Sequence, residues 1–400
     1  MAVAVEEVVS FRDEVRGWLE ANFPRCLSTD PAISEPTSDE LRTAAEAAWK
    51  ARMGETGWGV PTWPTEYGGG GLDAEETAIL RQELKRLGAT NPIGGMGVMM
   101  FGPTLLEYGD ERQKREHIPL IALGAVQWCQ GFSEPGAGSD LAGLQTRAED
   151  KGDHFLVNGQ KIWTSGANRA DWCFCLVRTD TSRKHDGISF VMIDMRTPGV
   201  EVRPIPLING LAPFCEVFFT DVVVPKANLV GPLNGGWTVA KRLLQHERTG
   251  LAAAAQSQQE TRASLPDIAK RYVGTDEAGR IADADLRARL IQFQIDLRCF
   301  QLTGARVASE GPNARGVAGT ASIMKQAGWF LRRDSAEFIT EIMGWRGLGW
   351  EGEPFTEEEL GHMRNTFYSK AGGIAGGSQE VQYNIIAKRV LGLPDPITQR

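Results

Sequence analysis

Residues 154–165 read His154-Phe155-Leu156-Val157-Asn158-Gly159-Gln160-Lys161-Ile162-Trp163-Thr164-Ser165. A period-two segment runs to Val157, Asn158-Gly159 offers the positive φ of a type I′ turn, and a second segment runs from Gln160 to Trp163. That pattern predicts a tight hairpin. Trp172 to Arg178, Ile188 to Ile193, Val200 to Pro206 and Cys215 to Val224 read as further strands with turn residues between them. Together they predict a compact β domain of about 100 residues, of barrel or sandwich type.

Both flanks of this region are helical. On the N-terminal side Phe11, Val15, Trp18 and Leu19 recur at helix spacing, and Ala44, Ala48 and Met53 continue the pattern. A loop at Pro61-Thr62-Trp63-Pro64 and the run Gly68 to Gly71 interrupt it, and Asp73 then caps a helix that runs through Leu87. The glycine run lacks the Lys-Ser/Thr of a P-loop and follows no strand, so it reads as a turn. After Asn234-Gly235-Gly236 the expected helices are Trp237–Gln258, Ala284–Ser309, Ala318–Ile342, Glu357–Tyr368 and Gln379–Val390, lengths that suit an antiparallel bundle. The expected organisation is α+β and multidomain: an N-terminal helical domain (1–125), a middle β domain (126–232) and a C-terminal helical bundle (233–400). Helices, then strands, then helices, with no βαβ alternation and no GxGxxG after a strand, argue against a Rossmann nicotinamide enzyme.

Composition narrows the function. The 400 residues are 42% hydrophobic and 24% charged, with a net charge of −8 and no long basic run. Nucleic acid and anionic membrane surfaces are therefore poor partners. The N-terminus carries acids where a signal peptide needs bases, and no apolar run approaches the roughly 20 residues of a membrane span. A soluble, cytoplasmic protein is expected. Six cysteines make no CxxC pair, and none of the five histidines stands at metal-ligand spacing, so buried free thiols and no metal site are expected.

Two segments carry candidate chemistry. Phe132-Ser133-Glu134-Pro135-Gly136-Ala137-Gly138-Ser139-Asp140 is a turn of small residues bounded by hydroxyls, where backbone N–H groups can approach a ligand. A plain tight connection is the alternative. Trp163-Thr164-Ser165-Gly166 sets an aromatic beside hydroxyls, able to stack on and hydrogen-bond a flat heteroaromatic ring, although a strand-end tryptophan is commonly core.

Taken together, these segments resemble the acyl-CoA dehydrogenase family, and the resemblance covers nearly the whole chain. Glu134 to Asp140 followed by Asn158-Gly159-Gln160-Lys161-Ile162-Trp163 is a specific combination. Gly57-Trp58 through Pro64, Tyr67-Gly68-Gly69 and Gly377-Ser378-Gln379 also match. The resemblance implies a helical domain, a β domain and a four-helix bundle that use FAD to oxidise acyl-CoA thioesters to trans-2-enoyl-CoA. It places Phe132 and Ser133 at the flavin pyrimidine edge, Trp163 against the ring and Ser165 at N5, with Gly138 and Thr164 in the same cofactor-binding set. Gly377, Ser378 and Gln379 take the adenosine side, and Ser139 both joins the cofactor set and approaches the CoA portion. An electron-transfer-flavoprotein-like acceptor is implied, and neither nicotinamide nor metal.

The sequence departs from the family pattern twice. Many members place the catalytic glutamate where this chain has Ala375. A minority place it on the first bundle helix before an arginine, where this chain has Glu247-Arg248. There Ala240, Leu243, Leu244, Glu247, Leu251 and Ala254 follow the spacing of a buried stripe, so Glu247 is expected among apolar neighbours that disfavour its charged form. A structural glutamate paired with an arginine of another helix is the alternative reading. The resemblance makes Glu247 the base, with Arg248 and the Ala375 backbone on the substrate. Homotetrameric members also lend a neighbour an Arg-x-x-Phe-Gly and a Gln-x-x-Gly-Gly segment for the far end of FAD. Here the first region reads Thr275-Asp276-Glu277-Ala278-Gly279, and the second reads Glu341-Ile342-Met343-Gly344-Trp345. A carboxylate replaces the amide and an indole replaces a hydrogen, so repulsion and bulk are both expected to oppose binding. This resembles the α2β2 members that act on steroid-CoA thioesters, where a related partner lends the missing groups. A homo-oligomeric branched- or long-chain dehydrogenase, a non-catalytic partner subunit, and a flavin oxidase or monooxygenase on the same fold stay open.

Overall fold

The computed structural model describes residues 2–259, 264–310 and 317–394. The chain forms two compact units, Met1–Pro204 with Pro213–His246, and Ile205–Ala212 with Glu247–Arg400.

The first unit opens with helices α1 (Ala2–Asn22), α2 (Asp39–Glu55), α3 (Ala74–Arg86), α4 (Gly102–Tyr108) and α5 (Glu111–Ala122). Asp73 starts α3 through a reciprocal capping box with Glu76, as the sequence predicts. Helices α1 and α3 meet at Glu83, a carboxylate only 2% exposed that accepts from Arg12, Arg16 and Arg86 at 2.7–3.1 Å. The Arg16 hydrogen bond is the largest influence on it. With the other two arginines it outweighs burial and lowers the Glu83 pKa from 4.5 to about 2.

Seven strands follow: β1 (Trp128–Gly131), β2 (Arg147–Asp150), β3 (His154–Ser165), β4 (Trp172–Arg178), β5 (Ile188–Asp194), β6 (Val200–Ile205) and β7 (Phe214–Pro225). They form one curled sheet in the order β1-β4-β2-β3-β7-β6, with β5 paired to β4. Phe155, Val157, Cys173, Cys175, Val191, Ile193, Cys215 and Val217 share the core inside the curl. The opposite faces of β4 and β5 carry Phe174, Leu176, Phe190 and Met192, which pack with Phe101 and other helical residues. Buried on both sides, β4 and β5 read as continuous apolar runs rather than alternating ones.

The expected hairpin at Asn158-Gly159 is not formed. β3 runs straight through this dipeptide, paired with β2 along its first half and with β7 along its whole length. The tight connection lies earlier, at residues 151–153, where Lys151 N–H donates to His154 O and Gly152 adopts φ +97°. Asn158 instead faces a bulge on β7. Its side chain accepts from Asp221 N–H and donates to the Asp221 carboxylate, while Asp221 takes φ +50°. Gly159 is needed here because a Cβ would stand 2.6–2.8 Å from three atoms of Thr146. The dipeptide serves close strand approach instead of reversal.

The second unit is helical: the end of α6 (Gly236–Gln259), then α7 (Leu265–Val273), α8 (Ala284–Glu310), α9 (Val317–Met343), α10 (Glu357–Ser369) and α11 (Gln379–Ile385). The boundaries of α6, α8, α9 and α10 fall within one residue of those expected, apart from fraying into neighbouring glycines. The last expected helix, Gln379–Val390, is α-helical only to Ile385 and continues as a π-turn through Val390. Helix α7 was not anticipated. Ser264 caps it and Pro266 occupies its first turn, burying Leu265, Ile268 and Ala269 against Leu286, Leu290 and Leu331. Among the described residues no helix is long and apolar enough to cross a membrane. All six cysteines are free thiols; four are buried as expected, but Cys26 is half-buried and Cys299 exposed.

Candidate active site

In the first unit the two sequence motifs are brought together edge to edge. Ile162 N–H donates to Ser133 O at 2.9 Å, and Lys161 Nζ donates to Phe132 O at 3.1 Å. The Phe132 ring is buried, edge-on to Phe174 and Phe190, so only its backbone is free to meet a cofactor. Ser133 and Ser165 are half-buried, and among the described residues their hydroxyls have no hydrogen-bond partner. Gly138 and Ser139 lie exposed on the turn that follows.

Trp163 occupies an unusual place in this edge. β3 and β7 lose one residue of register between Val157 and Gly159 and regain it between Lys161 and Thr164. The first bulge puts the extra residue on β7, and the second puts it on β3, at Ile162-Trp163. Trp163 takes φ +60°, costly for a bulky residue, and its indole is 55% exposed. Without the bulge Trp163 would continue the inward alternation of Phe155, Val157 and Lys161. The bulge turns it outward. Thr164 then faces inward, fully buried with its hydroxyl unpaired among the described residues, so its side chain is not presented to a ligand. These residues fit a flavin: an exposed indole face held at a strained position, with two unpaired hydroxyls beside it.

Lys161 and Glu134 form a buried ion pair beside these residues that the sequence reading passed over. Lys161 is fully buried and donates to Glu134 Oε1 at 2.7 Å. Glu134 also accepts from the N–H groups of Gln145 at 2.6 Å and Thr146 at 2.8 Å. Burial acts to raise the Glu134 pKa, but the Lys161 ammonium and these hydrogen bonds prevail and hold it below its ordinary value. The available signal was that Lys161 lies in phase with Phe155 and Val157.

In the second unit Glu247 is half-buried on α6, and its Oε1 lies 3.7 Å from where a Cβ on Gly376 would stand. The alternative glutamate position and the loop that carries Ala375 are thus neighbours. Arg248 lies on α6, and its side chain falls outside the described residues. The Ala375 N–H, expected to serve a thioester oxygen, donates to Ala371 O at 2.9 Å, so that donor is already engaged in this conformation. Lys325, also unanticipated, holds the same loop by donating to Gly372 O at 3.2 Å and Gly377 O at 2.5 Å. Ser378 caps α11 through Val381 N–H, and Gln379 is its first residue, half-buried.

The two lending segments keep to themselves. Glu341 is paired with Arg289 through two hydrogen bonds of 2.6 and 2.7 Å, and the first of its influences, that side-chain bond, lowers its pKa. The repulsion expected of Glu341 is therefore largely neutralised within the chain. What stays at this position is the loss of an amide and the bulk of Trp345, which is 59% exposed. Near Gly279, Arg280 is held by Asp276, and Arg271 by Glu358.

Helices, a curled sheet and helices, with an indole and hydroxyls at the end of β3, define a flavin-dependent oxidoreductase. Residues 6–125, 129–222 and 234–391 match the N-terminal, middle and C-terminal domains of acyl-CoA dehydrogenases, and the chain belongs to that family, whose members use FAD. It is 36% identical to acyl-CoA dehydrogenase IpdE1 of Mycobacterium tuberculosis H37Rv, over 98% of this chain and 99% of that one. Among solved structures it is similar to the Tcur3481-Tcur3483 steroid ACAD, at 30% identity, 98% coverage of both chains and a TM-score of 0.75. It is also similar to the ChsE4-ChsE5 complex from Mycobacterium tuberculosis, at 29% identity, 97% coverage of this chain, 98% of that one and a TM-score of 0.72.

Proposed function

We propose that this chain is the base-bearing subunit of a heteromeric, cytoplasmic acyl-CoA dehydrogenase that acts on a bulky, steroid-type acyl-CoA. The observation that carries the reading is the position of Glu247 beside the 375–376 loop, where the family's commoner glutamate is replaced by alanine. Breaking an unactivated Cα–H needs a carboxylate held close to it. Glu247 takes that proton while a double bond forms between Cα and Cβ and a hydride leaves Cβ. Bound FAD supplies the hydride acceptor, with electrons passing on to an electron-transfer-flavoprotein-like protein. Phe132, Ser133, Gly138, Trp163, Thr164 and Ser165 serve the flavin, with Phe132 and Thr164 doing so through their backbones. Gly377, Ser378 and Gln379 serve the adenosine side, and Ser139 and Arg248 the acyl-CoA. For Ala375 to take the thioester oxygen, its N–H must first leave Ala371 O.

The steroid substrate and the related partner are supported by the similarity to the steroid ACAD and the ChsE4-ChsE5 complex, and by Glu341 and Trp345 standing in a lending segment. Glu247→Gln keeps the shape and removes the proton acceptor. The purified assembly should keep its FAD while acyl-CoA bleaches the flavin at least about 10²-fold more slowly. Bleaching at the wild-type rate would place the base elsewhere. Bound FAD per polypeptide, measured for the chain alone and with its partner, tests the heteromer. A homotetramer of this chain with one tight FAD per subunit and full activity would overturn it.

A further inference from the structure

Burying an ammonium against a carboxylate is seldom a net gain over burying apolar groups of the same size. Lys161 is nonetheless 0% exposed, against a sheet core of Val, Phe, Ile, Ala and Cys. What it does there is geometric. Its ammonium bonds Phe132 O and the Glu134 carboxylate, and that carboxylate bonds the backbone of Gln145 and Thr146. Glu134 and Ala137 exchange two backbone hydrogen bonds of 3.0 Å, which closes the turn, and the residue after Lys161 donates to Ser133 O. Three separate stretches of chain, 132–137, 145–146 and 161–162, therefore converge on one buried ion pair. The next residue along β3 is the strained Trp163.

We propose that Lys161 is a positioning residue for the flavin: with Glu134 it fixes the Phe132–Ser133 backbone and the Trp163 bulge in the one arrangement that presents both to the cofactor. The inference rests on the reading of this edge as the flavin face. A methionine of the same length fills the space but leaves Phe132 O without its donor and Glu134 without its counter-charge. The ion pair is neutral as a whole, so its service to the cofactor is placement. Misplaced donors and a relaxed indole weaken binding, whereas the β4–β5 pairing deeper in the sheet has no bond to the pair.

The test uses the full chain with its partner and two variants, Lys161→Met and the charge-free double variant Lys161→Met/Glu134→Gln. Apoprotein is titrated with FAD by absorbance of the flavin band, and amide exchange is followed separately in the absence of FAD. In both variants the dissociation constant should rise about tenfold or more, the scale of one lost charge-assisted hydrogen bond. Exchange should quicken at Ile162 and from Ala137 to Thr146 while residues 173–177 of β4 keep their protection. A folded variant with FAD affinity within twofold of wild type and unchanged exchange overturns the proposal. Loss of folding in both variants overturns it as well, making the pair a stability element. Failure of the wild-type assembly to bind FAD sinks the flavin reading itself, an outcome separate from either.

Discussion

Lys161 and Lys325 each pin a functional loop by donating to backbone carbonyls, Phe132 O in the first unit and Gly372 O with Gly377 O in the second. Lys161 is wholly buried, paired with a carboxylate and flanked by β7 on one side and the Phe132–Ser133 backbone on the other. Lys325 is half-buried, and burial, with Arg332 nearby, lowers its pKa. Its loop contains Gly372, Gly373, Gly376 and Gly377, with Ala375 and Gly376 exposed. The first place is thus fixed by a buried ion pair and by β7, and the second by two side chains, Lys325 at Gly372 O and Gly377 O and Gln382 at Gly376 O. The lesson is that equal-looking glycines in the two places carry different burdens, and the same substitution should separate them.

The largest effect is expected at Gly159. It lies at φ +151°, and a Cβ there meets the Oγ1, Cα and Cβ of Thr146, the Cα being backbone just before β2. Gly159→Ala should cost about 3 kcal/mol from strain and overpacking combined. Urea unfolding of the purified assembly measures it, and a loss below about 1 kcal/mol would show that this edge yields more readily than its geometry says.

A second, smaller effect tests whether rigidity in the first unit extends beyond the sheet. Glu83 joins α1 to α3 through Arg12 and Arg16, with Arg86 of α3 itself as a third partner, and all three arginines are a third or more exposed, which discounts the pairing energy. Glu83→Gln should cost about 2 kcal/mol at neutral pH. The folded carboxyl titrates near 2 and the unfolded one near 4.5, so the stabilisation is whole above about pH 4.5 and fades as pH falls toward 2. Wild type and variant should therefore differ in urea midpoint at pH 7, and the difference should shrink steadily as pH falls from about 4.5 toward 2. A difference that does not shrink over that range would assign it to packing rather than charge.

The contrast also explains what was legible in the sequence. Helix spacing in the second unit was readable because α8, α9 and α10 bury one stripe each, a local pattern of three and four. The strands β4 and β5 were readable because turn residues bound them. The Asn158-Gly159 hairpin was misread because a turn and a bulge draw on the same residues, and which one forms depends on β7, some sixty residues away in sequence. Trp163 was singled out from the sequence, but its outward direction depends on the second bulge, which periodicity hides. Lys161 drew no separate reading, because its partner Glu134 lies in another motif. The proximity of Glu247 to Gly376 had no local signal at all and rested on the family resemblance.

The smallest effect is expected at Gly376, and it is the one that can break the comparison. Gly376 lies at φ +66°, so alanine there bears left-handed strain of about 1 kcal/mol. The nearest atom to its new methyl is Glu247 Oε1 at 3.7 Å, an ordinary contact that asks no backbone to move. Gly376→Ala should therefore fold normally, with a urea midpoint only slightly below wild type. The methyl covers one side of the carboxylate and removes some of its water, which disfavours the charged base. Turnover at neutral pH should fall by no more than about threefold. If Gly376→Ala instead destabilises the protein as much as Gly159→Ala, the loop is as constrained as the sheet edge and the contrast between the units fails. If turnover collapses while stability holds, the loop has no slack around Glu247, and the base is positioned as tightly as the flavin face.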